Sequence, residues 1–289
     1  MSIDYETIFC HVDDFCKGFL PWWHAQLVDS GERQRDRETS MALSEMITIL
    51  ITFHQSGYKC FMYYYKHLSI NGRAEFPIML SYSRFITLIK RCFPVLIALF
   101  EVLKGEANII NYIDSTKYEV CKVIRANRHK VFKGIAIKSK TSTGWFFGLK
   151  LHFIFNLSGE IVKLVITPGN IDDRNPVSKM IKNIYGKIFA DRGYISQERF
   201  EEWFASGVQV ITGIKKNMKN KLMHLFDKFM LRRRGFVETI FSSIKSLGTF
   251  EHSRHRCVVN GLCHIFCGLI AYQLRDDKPS LINELQLSA

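Results

Sequence analysis

The segment that most constrains the fold is residues 145–156, where large apolar side chains alternate with small or polar ones. Successive side chains of a β-strand point to opposite faces, so this alternation predicts a strand with one apolar face. Turn-forming residues follow at 157–160, and residues 161–167 are again rich in β-branched side chains, which predicts a hairpin. A chain with such a hairpin must build a sheet and bury one of its faces.

Further strands surround this hairpin in the sequence. A short apolar run at 109–113 precedes it, and we predict a helix at 172–185, a strand at 187–190, a helix at 196–206 and a strand at 208–211 after it. Three consecutive strands followed by alternating helices and strands are typical of an α/β ribonuclease H-like fold. We therefore assign residues 106–289 to a ribonuclease H-like mixed sheet flanked by helices.

The chain before this region has a different pattern. Apolar residues recur at helical spacing at 40–56, 83–93 and 95–104, and the second of these segments is expected to stop at Pro94. Residues 29–39 are charged and lack an apolar period, so they are predicted to be an exposed linker. Residues 1–105 are thus expected to form an all-helical N-terminal region, which could either bind DNA ends or serve as a dimerisation or packing unit.

The charge of the chain points to a polyanionic partner. Lys and Arg number 40 against 27 Asp and Glu, a formal net charge of +13. The apolar stretches are shorter than the roughly 20 residues of a membrane-spanning helix. The basic residues also do not gather on one amphipathic helix, so nucleic acid is favoured over a membrane. The acidic first 19 residues do not resemble a secretory signal, so we expect a cytoplasmic protein.

The eight cysteines lie mostly in apolar periodic segments, which predicts free thiols in the core. The alternative is a zinc site built from the cysteines and histidines of residues 252–267. No pair there has the C-x2-C spacing, and Cys263 and Cys267 are one helical turn apart on an apolar face. The spacing therefore favours core packing.

Three acids could carry metal chemistry. Asp114 and Asp191 each follow a short apolar run and are predicted to lie at the carboxyl ends of strands, where ligands gather in open α/β sheets. Each alone could equally be a turn former or a helix cap. Glu238 is predicted on a helix that also carries Arg234 and Lys245 on the same face. A solvated, salt-bridged surface is the alternative, but the apolar neighbours of Glu238 favour the margin of a core.

Several segments between residues 111 and 274 resemble DDE transposases of bacterial insertion sequences, in particular the family numbered nine-eight-two. The matching segments are residues 113–116, 129–134, 143–152, 167–174, 189–196, 216–218 and 237–242. Their order and spacing match as well.

The resemblance implies that Asp114, Asp191 and Glu238 are a catalytic, metal-binding triad. The expected cofactor is Mg²⁺, as two ions for which Mn²⁺ may substitute, with no small-molecule cofactor. Arg234 and Lys245 match the basic positions of the signature Y-x2-R-x3-E-x6-K, with a leucine at position 231 in place of the tyrosine.

Other polar residues near these acids have two interpretations. Lys150 and His152 share the polar face of their predicted strand and would either contact the DNA backbone, border the active site or lie on an ordinary solvated face. Asp172 and Asp173 are most simply caps at a helix start and are second-choice metal ligands. The basic runs at 215–221 and 232–234 would either bind DNA or be solvated.

The resemblance further implies a transposase that cleaves a DNA strand and transfers it during movement of an insertion sequence. The implied partner is double-stranded DNA, both element ends and target, bound by a homodimer. A nucleoid-associated location in the cytoplasm, with no membrane contact, follows from this function. Two alternatives stay open: a ribonuclease H-like nuclease without strand transfer, and a non-catalytic DNA-binding derivative of a transposase.

Overall fold

The structure is a computed structural model that describes residues 4–31, 39–142, 144–214, 222–248, 250–251 and 255–282. Its helices are α1 (Tyr5–Asp29), α2 (Leu43–Phe53), α3 (Phe61–Asn71), α4 (Tyr82–Leu88), α5 (Phe93–Leu103), α6 (Val177–Met180), α7 (Gln197–Ala205), α8 (Leu225–Arg232), α9 (Gly235–Ser246) and α10 (Val258–Gln273). Its strands are β1 (Ile110–Cys121), β2 (Ile137–Thr141), β3 (Gly144–Phe155), β4 (Ile161–Pro168), β5 (Gly186–Ala190) and β6 (Val208–Thr212).

The chain divides into two compact units. The first combines Met1–Leu103 with Ile244–Arg275, and the second combines Lys104–Ser243 with Asp276–Ala289. The first unit is helical, as predicted for the N-terminal region, and α10 packs against α2 and α5 within it. Both α2 and α10 are apolar nearly all round and are almost wholly buried. No helix in the described ranges has the length and apolar character needed to cross a membrane.

The sheet of the second unit is mixed, which confirms the predicted fold class. Strand β1 lies at its centre, antiparallel to β3 on one side and parallel to β5 on the other, and β6 follows β5 in parallel. The opposite edge of β3 is shared: β2 pairs with its first five residues and β4 with the rest. The core on one side of the sheet contains Trp203, whose indole Nε1 donates to Ser178 Oγ at 3.1 Å.

The structure corrects several predicted elements. Helix α3 and strand β2 were not predicted. Strand β1 continues eight residues beyond the predicted run at 109–113. Pro94 does not stop a helix but lies in the first turn of α5, where its missing N–H has no intrahelical partner to lose.

The predicted helix at 172–185 is wrong over most of its length, because α6 covers only Val177–Met180. Pro176, which precedes it, has no side-chain hydrogen bond to offer as a cap, and Asn183 has a left-handed φ of 62°. Asp172 and Asp173 are therefore turn residues and not the caps that the sequence pattern indicated.

The cysteine prediction is confirmed in part. All eight cysteines are free thiols, and Cys16, Cys92, Cys263 and Cys267 are buried as expected. Cys10 and Cys60 are exposed, so core packing is wrong for these two. Three predicted features lie largely or wholly outside the described residues: the linker at 29–39, the basic run at 215–221 and His252 of the zinc alternative.

Gly148 marks the point on β3 where pairing changes from β2 to β4, and it allows a close approach of β1. A Cβ at this position would overlap the backbone oxygen of Tyr118. We predict that Gly148→Ala lowers the free energy of unfolding by about 1–3 kcal/mol, because the ladder between β1 and β3 must shift. Chemical denaturation measures this. Gly193→Ala is the control, since a Cβ there meets nothing within 4 Å; equal stability of the two variants would contradict the prediction.

Candidate active site

Two of the predicted acids lie where strands β1 and β5 stop pairing. The last parallel pair is Tyr112 with Phe189, and Asp114 and Asp191 each follow two residues later. Asp191 directly follows β5, as predicted, and its Oδ1 accepts a hydrogen bond from the backbone N–H of Arg192 at 2.7 Å. The predicted strand-end position is wrong for Asp114, because β1 runs on through it and pairs it with Phe153 of β3.

Arg234 joins Asp114 to Glu238, the third predicted acid. Its Nη1 lies 3.0 Å from Asp114 Oδ2, and its Nη2 lies 3.3 Å from Glu238 Oε1. The predicted helical position of Arg234 is wrong: it lies in the turn between α8 and α9, where its guanidinium reaches β1. One side chain thus brings together two acids that are far apart in the sequence.

Glu238 lies in the first turn of α9. Its side chain is 68% exposed, so it is more solvated than the core margin that its apolar neighbours indicated. A carboxylate in the first turn of a helix is stabilised by the helix dipole. Glu238 therefore faces solvent and any ligand that comes from there.

Asp114 is held in an environment that disfavours its charge. Burial, above all, raises its pKa to about 6. Asp191 and Asp173 also raise the pKa by repulsion, whereas the Ser115 backbone N–H and Arg234 lower it. A largely buried carboxylate near two others gains electrostatically from an added cation.

A fourth acid, Asp173, belongs to the same cluster. Ser115 Oγ donates to Asp173 Oδ1 at 2.7 Å, and Lys150 Nζ lies 3.1 Å from the same oxygen. Lys150 also donates to the backbone oxygen of Ile171 at 2.9 Å, which fixes the loop that carries Asp173. Asp173, the second-choice ligand, is therefore hydrogen-bonded to Ser115, the residue next to Asp114.

Asp172, its neighbour, does not share this arrangement. Hydrogen bonds from the Arg174 side chain, the first of several causes, hold the pKa of Asp172 well below its usual range. The two side chains form a local ion pair of 2.7 Å on the surface. Of the two acids at this turn, only Asp173 is directed toward Ser115.

His152 is buried beneath Asp173 and is neutral. Its Nδ1 lies 3.6 Å from Asp173 Oδ1, and its Nε2 lies 2.9 Å from Thr167 Oγ1. Burial lowers its pKa to about 4, and Lys150 lowers it further, although Asp173 acts in the opposite direction. The solvated strand face proposed for Lys150 and His152 is therefore wrong. With 0% side-chain exposure, His152 has no surface with which to contact DNA directly.

Tyr194 was missed in the sequence, although it lies only three residues after Asp191. It is buried, and its pKa is raised well above the usual range by burial first and then by the charges of Asp114 and Asp173. The nearby Ser115 side chain opposes this shift, although the Tyr194 hydroxyl makes no hydrogen bond within the described residues. The protonated phenol therefore places a neutral side chain next to the acid cluster. Tyr194 belongs to the matching segment 189–196, but the spacing of that segment does not indicate which side chains point into the core.

Lys245 lies in the last turn of α9, within the first compact unit. Its Nζ pairs with Glu251 Oε1 at 2.7 Å. Its predicted contact with DNA stays a prediction.

Carboxylate oxygens are the donors that this cluster offers, and they suit a hard divalent cation. In the ranges that the structure describes, no group of three or more His, Cys, Asp or Glu is already arranged to hold a metal ion. Arg234 instead supplies the positive charge between Asp114 and Glu238.

Comparisons with known proteins agree with this architecture. A family model described as "Transposase DDE domain" matches residues 104–258, more than half of the chain. No curated protein matches. A solved structure of a piggyBac transposase, in a synaptic complex with hairpin DNA, is similar in fold. Its TM-score is 0.52 at 9% identity, with 94% of this chain and 74% of that chain covered. The chain belongs to the transposase DDE domain family.

Proposed function

We propose that this chain cleaves DNA strands and joins the resulting 3′ ends to target DNA, as the transposase of a bacterial insertion sequence of the family numbered nine-eight-two. The observation that carries the proposal is the pair of contacts from Arg234 to Asp114 and Glu238, beside Asp191. These are the three acids that the resemblance implies as the catalytic triad. The proposal is therefore supported by a sequence pattern and by independent geometry.

The acids suit a divalent metal, which DDE transposase domains generally use. We propose that Asp114, Asp191 and Glu238 hold two Mg²⁺ ions, for which Mn²⁺ can substitute. The support is chemical: every donor is a carboxylate oxygen, and burial, with added repulsion from Asp191 and Asp173, raises the pKa of Asp114. When bound, such ions activate an attacking hydroxyl and stabilise the leaving oxygen of a phosphodiester.

The protein's own groups would prepare this chemistry. Arg234 holds Asp114 and Glu238 in place and presents a planar set of donors that also suits a phosphate. Lys150 and Ser115 fix Asp173 through hydrogen bonds. Tyr194 and His152 stay neutral near pH 7 and exclude water from the buried side of the cluster. Asp191 is exposed, so it can bind a ligand without any change in the contacts of Arg234, Lys150 or Ser115.

Double-stranded DNA is the proposed partner, both as element ends and as target. The net charge of +13 favours a polyanion, and the similar piggyBac transposase was solved with DNA. Pairing two element ends requires two active sites, so we propose a homodimer on DNA. A nucleoid-associated, cytoplasmic location is part of the same proposal.

We predict that Glu238→Gln abolishes strand cleavage in Mg²⁺ and leaves DNA binding intact or slightly tighter. Glutamine keeps the volume and one acceptor oxygen for Arg234, but it removes the charge needed to hold a cation. The loss of metal activation is expected to raise the barrier by several kcal/mol. Cleavage of a labelled element-end duplex and a gel shift on the same duplex measure the two effects.

Two further variants serve as controls for this experiment. Asp114→Asn should be as inactive as Glu238→Gln, whereas Asp172→Asn should cleave normally, because Asp172 pairs with Arg174 outside the cluster. If Glu238→Gln cleaves at the wild-type rate while Asp114→Asn is inactive, Glu238 is not a ligand. Asp173 then becomes the third acid to test.

Strand transfer distinguishes the proposed transposase from a ribonuclease H-like nuclease. The proposed enzyme joins a labelled 3′ end into a second duplex, and a nuclease only shortens the labelled strand. DNA binding without either product, unaffected by substitution of all three acids, would indicate a non-catalytic derivative.

A second prediction concerns the charge on Asp114 in the absence of metal. Its pKa of about 6 lies above the ordinary 3.8, so ionisation of this carboxyl destabilises the folded state. The cost is absent below about pH 4, grows up to about pH 6 and is constant above. We predict that Asp114→Asn raises the free energy of unfolding at pH 8 by about 3 kcal/mol.

Denaturation in a metal chelator at pH 8 and at lower pH measures this effect. Asp172→Asn is the matched control, with the opposite sign expected, because Arg174 lowers the pKa of Asp172 and its ionised form is the stabilising one. A decrease in stability for Asp114→Asn at pH 8 would show that Arg234 outweighs burial and repulsion.

A further inference from the structure

A second basic region, away from the acid cluster in the sequence, has no role in the site described above. Residues 122–140 contain seven Lys and Arg residues and no Asp or Glu. They include the 3-10 helical segment Val123–Arg128 and strand β2. All seven basic side chains are exposed. More than half of the formal net charge of +13 thus lies on one surface segment.

These cations lack the acidic partners that other cations of the same unit have. Within the described residues, none of the seven forms an ion pair. Elsewhere in the unit such pairs occur, as in Lys117 with Glu119, Lys150 with Asp173, Arg174 with Asp172 and Lys187 with Asp227. Seven neighbouring positive charges repel one another, so the segment would gain from a polyanionic ligand.

The hairpin of β2 and β3 orders two of these charges around an aromatic ring. Lys140 pairs directly with Trp145 across the hairpin, and Lys138 lies on the same face. Their Nζ atoms lie 5.9 Å and 4.9 Å from the centroid of the Trp145 ring. The ring is 56% exposed, which is unusual for tryptophan. Cation–π attraction holds both ammonium groups at the surface instead of leaving them to move freely.

The 3-10 segment packs on the same side of the hairpin. His129, just after it, packs near Phe147 with ring centroids 5.8 Å apart. Phe147 and Trp145 share one face of β3, because they are two residues apart on a strand. The contact of His129 therefore places the loop, which carries five of the seven cations, against the strand face that carries the hairpin cations. We call residues 122–140 together with Trp145 the basic hairpin surface.

We propose that the basic hairpin surface binds the phosphate backbone of duplex DNA to one side of the bond that is cut. Trp145 lies on the same face of β3 as Phe153, the cross-strand partner of Asp114. Eight residues of strand separate them, or about 26 Å. A duplex advances about 3.4 Å per base pair along each strand, so for a duplex that runs along β3 this surface would contact DNA about eight base pairs from the cut. The inference rests on the proposed function and adds a partner surface to it.

The test uses the full chain and an element-end duplex, with affinity measured over a series of salt concentrations. We expect wild-type protein to show a steep decrease of log affinity with log salt concentration. In the double variant Lys138→Gln with Lys140→Gln, the slope should fall by about 2, because each lost phosphate contact removes about one released counterion. The control is Lys179→Gln with Lys182→Gln, two exposed lysines of the same unit, and its slope should match wild type.

A shortened duplex tests the position of the surface. On DNA that extends no more than about five base pairs to either side of the cut, the hairpin variant and wild type should have the same slope. A wild-type slope for the hairpin variant on the long duplex would overturn the inference while leaving the proposed function intact. Salt-independent or absent DNA binding by wild type would overturn the proposed function and the inference together. A reduced slope that persists on the short duplex would overturn the assigned position.

Discussion

The placement of a largely buried carboxylate beside other acids, where β1 and β5 separate, is the constraint on which the site depends. Asp114 lies there near Asp191 and Asp173, and its pKa, raised by burial first and then by repulsion, reflects the cost of its charge. The protein offsets this cost by placing Arg234 against Asp114 on one side and by holding Asp173 with Lys150 on the other. A folded chain that tolerates this concentration of negative charge is prepared for a cation that it does not itself supply.

The pleat of β1 places Asp114 and Ser115 on opposite faces of the sheet, so that each has its own set of contacts. Asp114 pairs across the sheet with Phe153, which packs on Phe241 of α9. The next residue, Ser115, points to the other face and pairs with His152. Adjacent residues of β1 therefore connect the acids near α9 with Lys150, Asp173 and the buried His152. A shift of Ser115 on one face is therefore transmitted to Asp114 on the other through the one peptide bond that joins them.

The sequence predicted the parts of this architecture that have strong periodicity or clear ends. Strands β3 to β6 and the position of Asp191 follow from apolar runs bounded by turn residues. Strand β2 was missed because an exposed edge strand with alternating lysines carries no apolar signal. The contribution of Asp173 depends on a turn that replaced the predicted helix. The bridging position of Arg234 depends on a break between α8 and α9, and neither break has a signature in helical periodicity.

The edge of β3 that β2 and β4 share separates two parts of the sheet. On the edge of β3 away from β1, β4 borders the stretch that sets Asp114 in register, whereas β2 borders the stretch that ends at Gly148. A change in the length or charge of the β2 strand is therefore expected to leave the pairing of Asp114 with Phe153 in place, because β2 pairs only with residues 144–148 of β3. The strand that carries the surface charge and the strand that aligns the acids are thus fixed by different neighbours in the sheet.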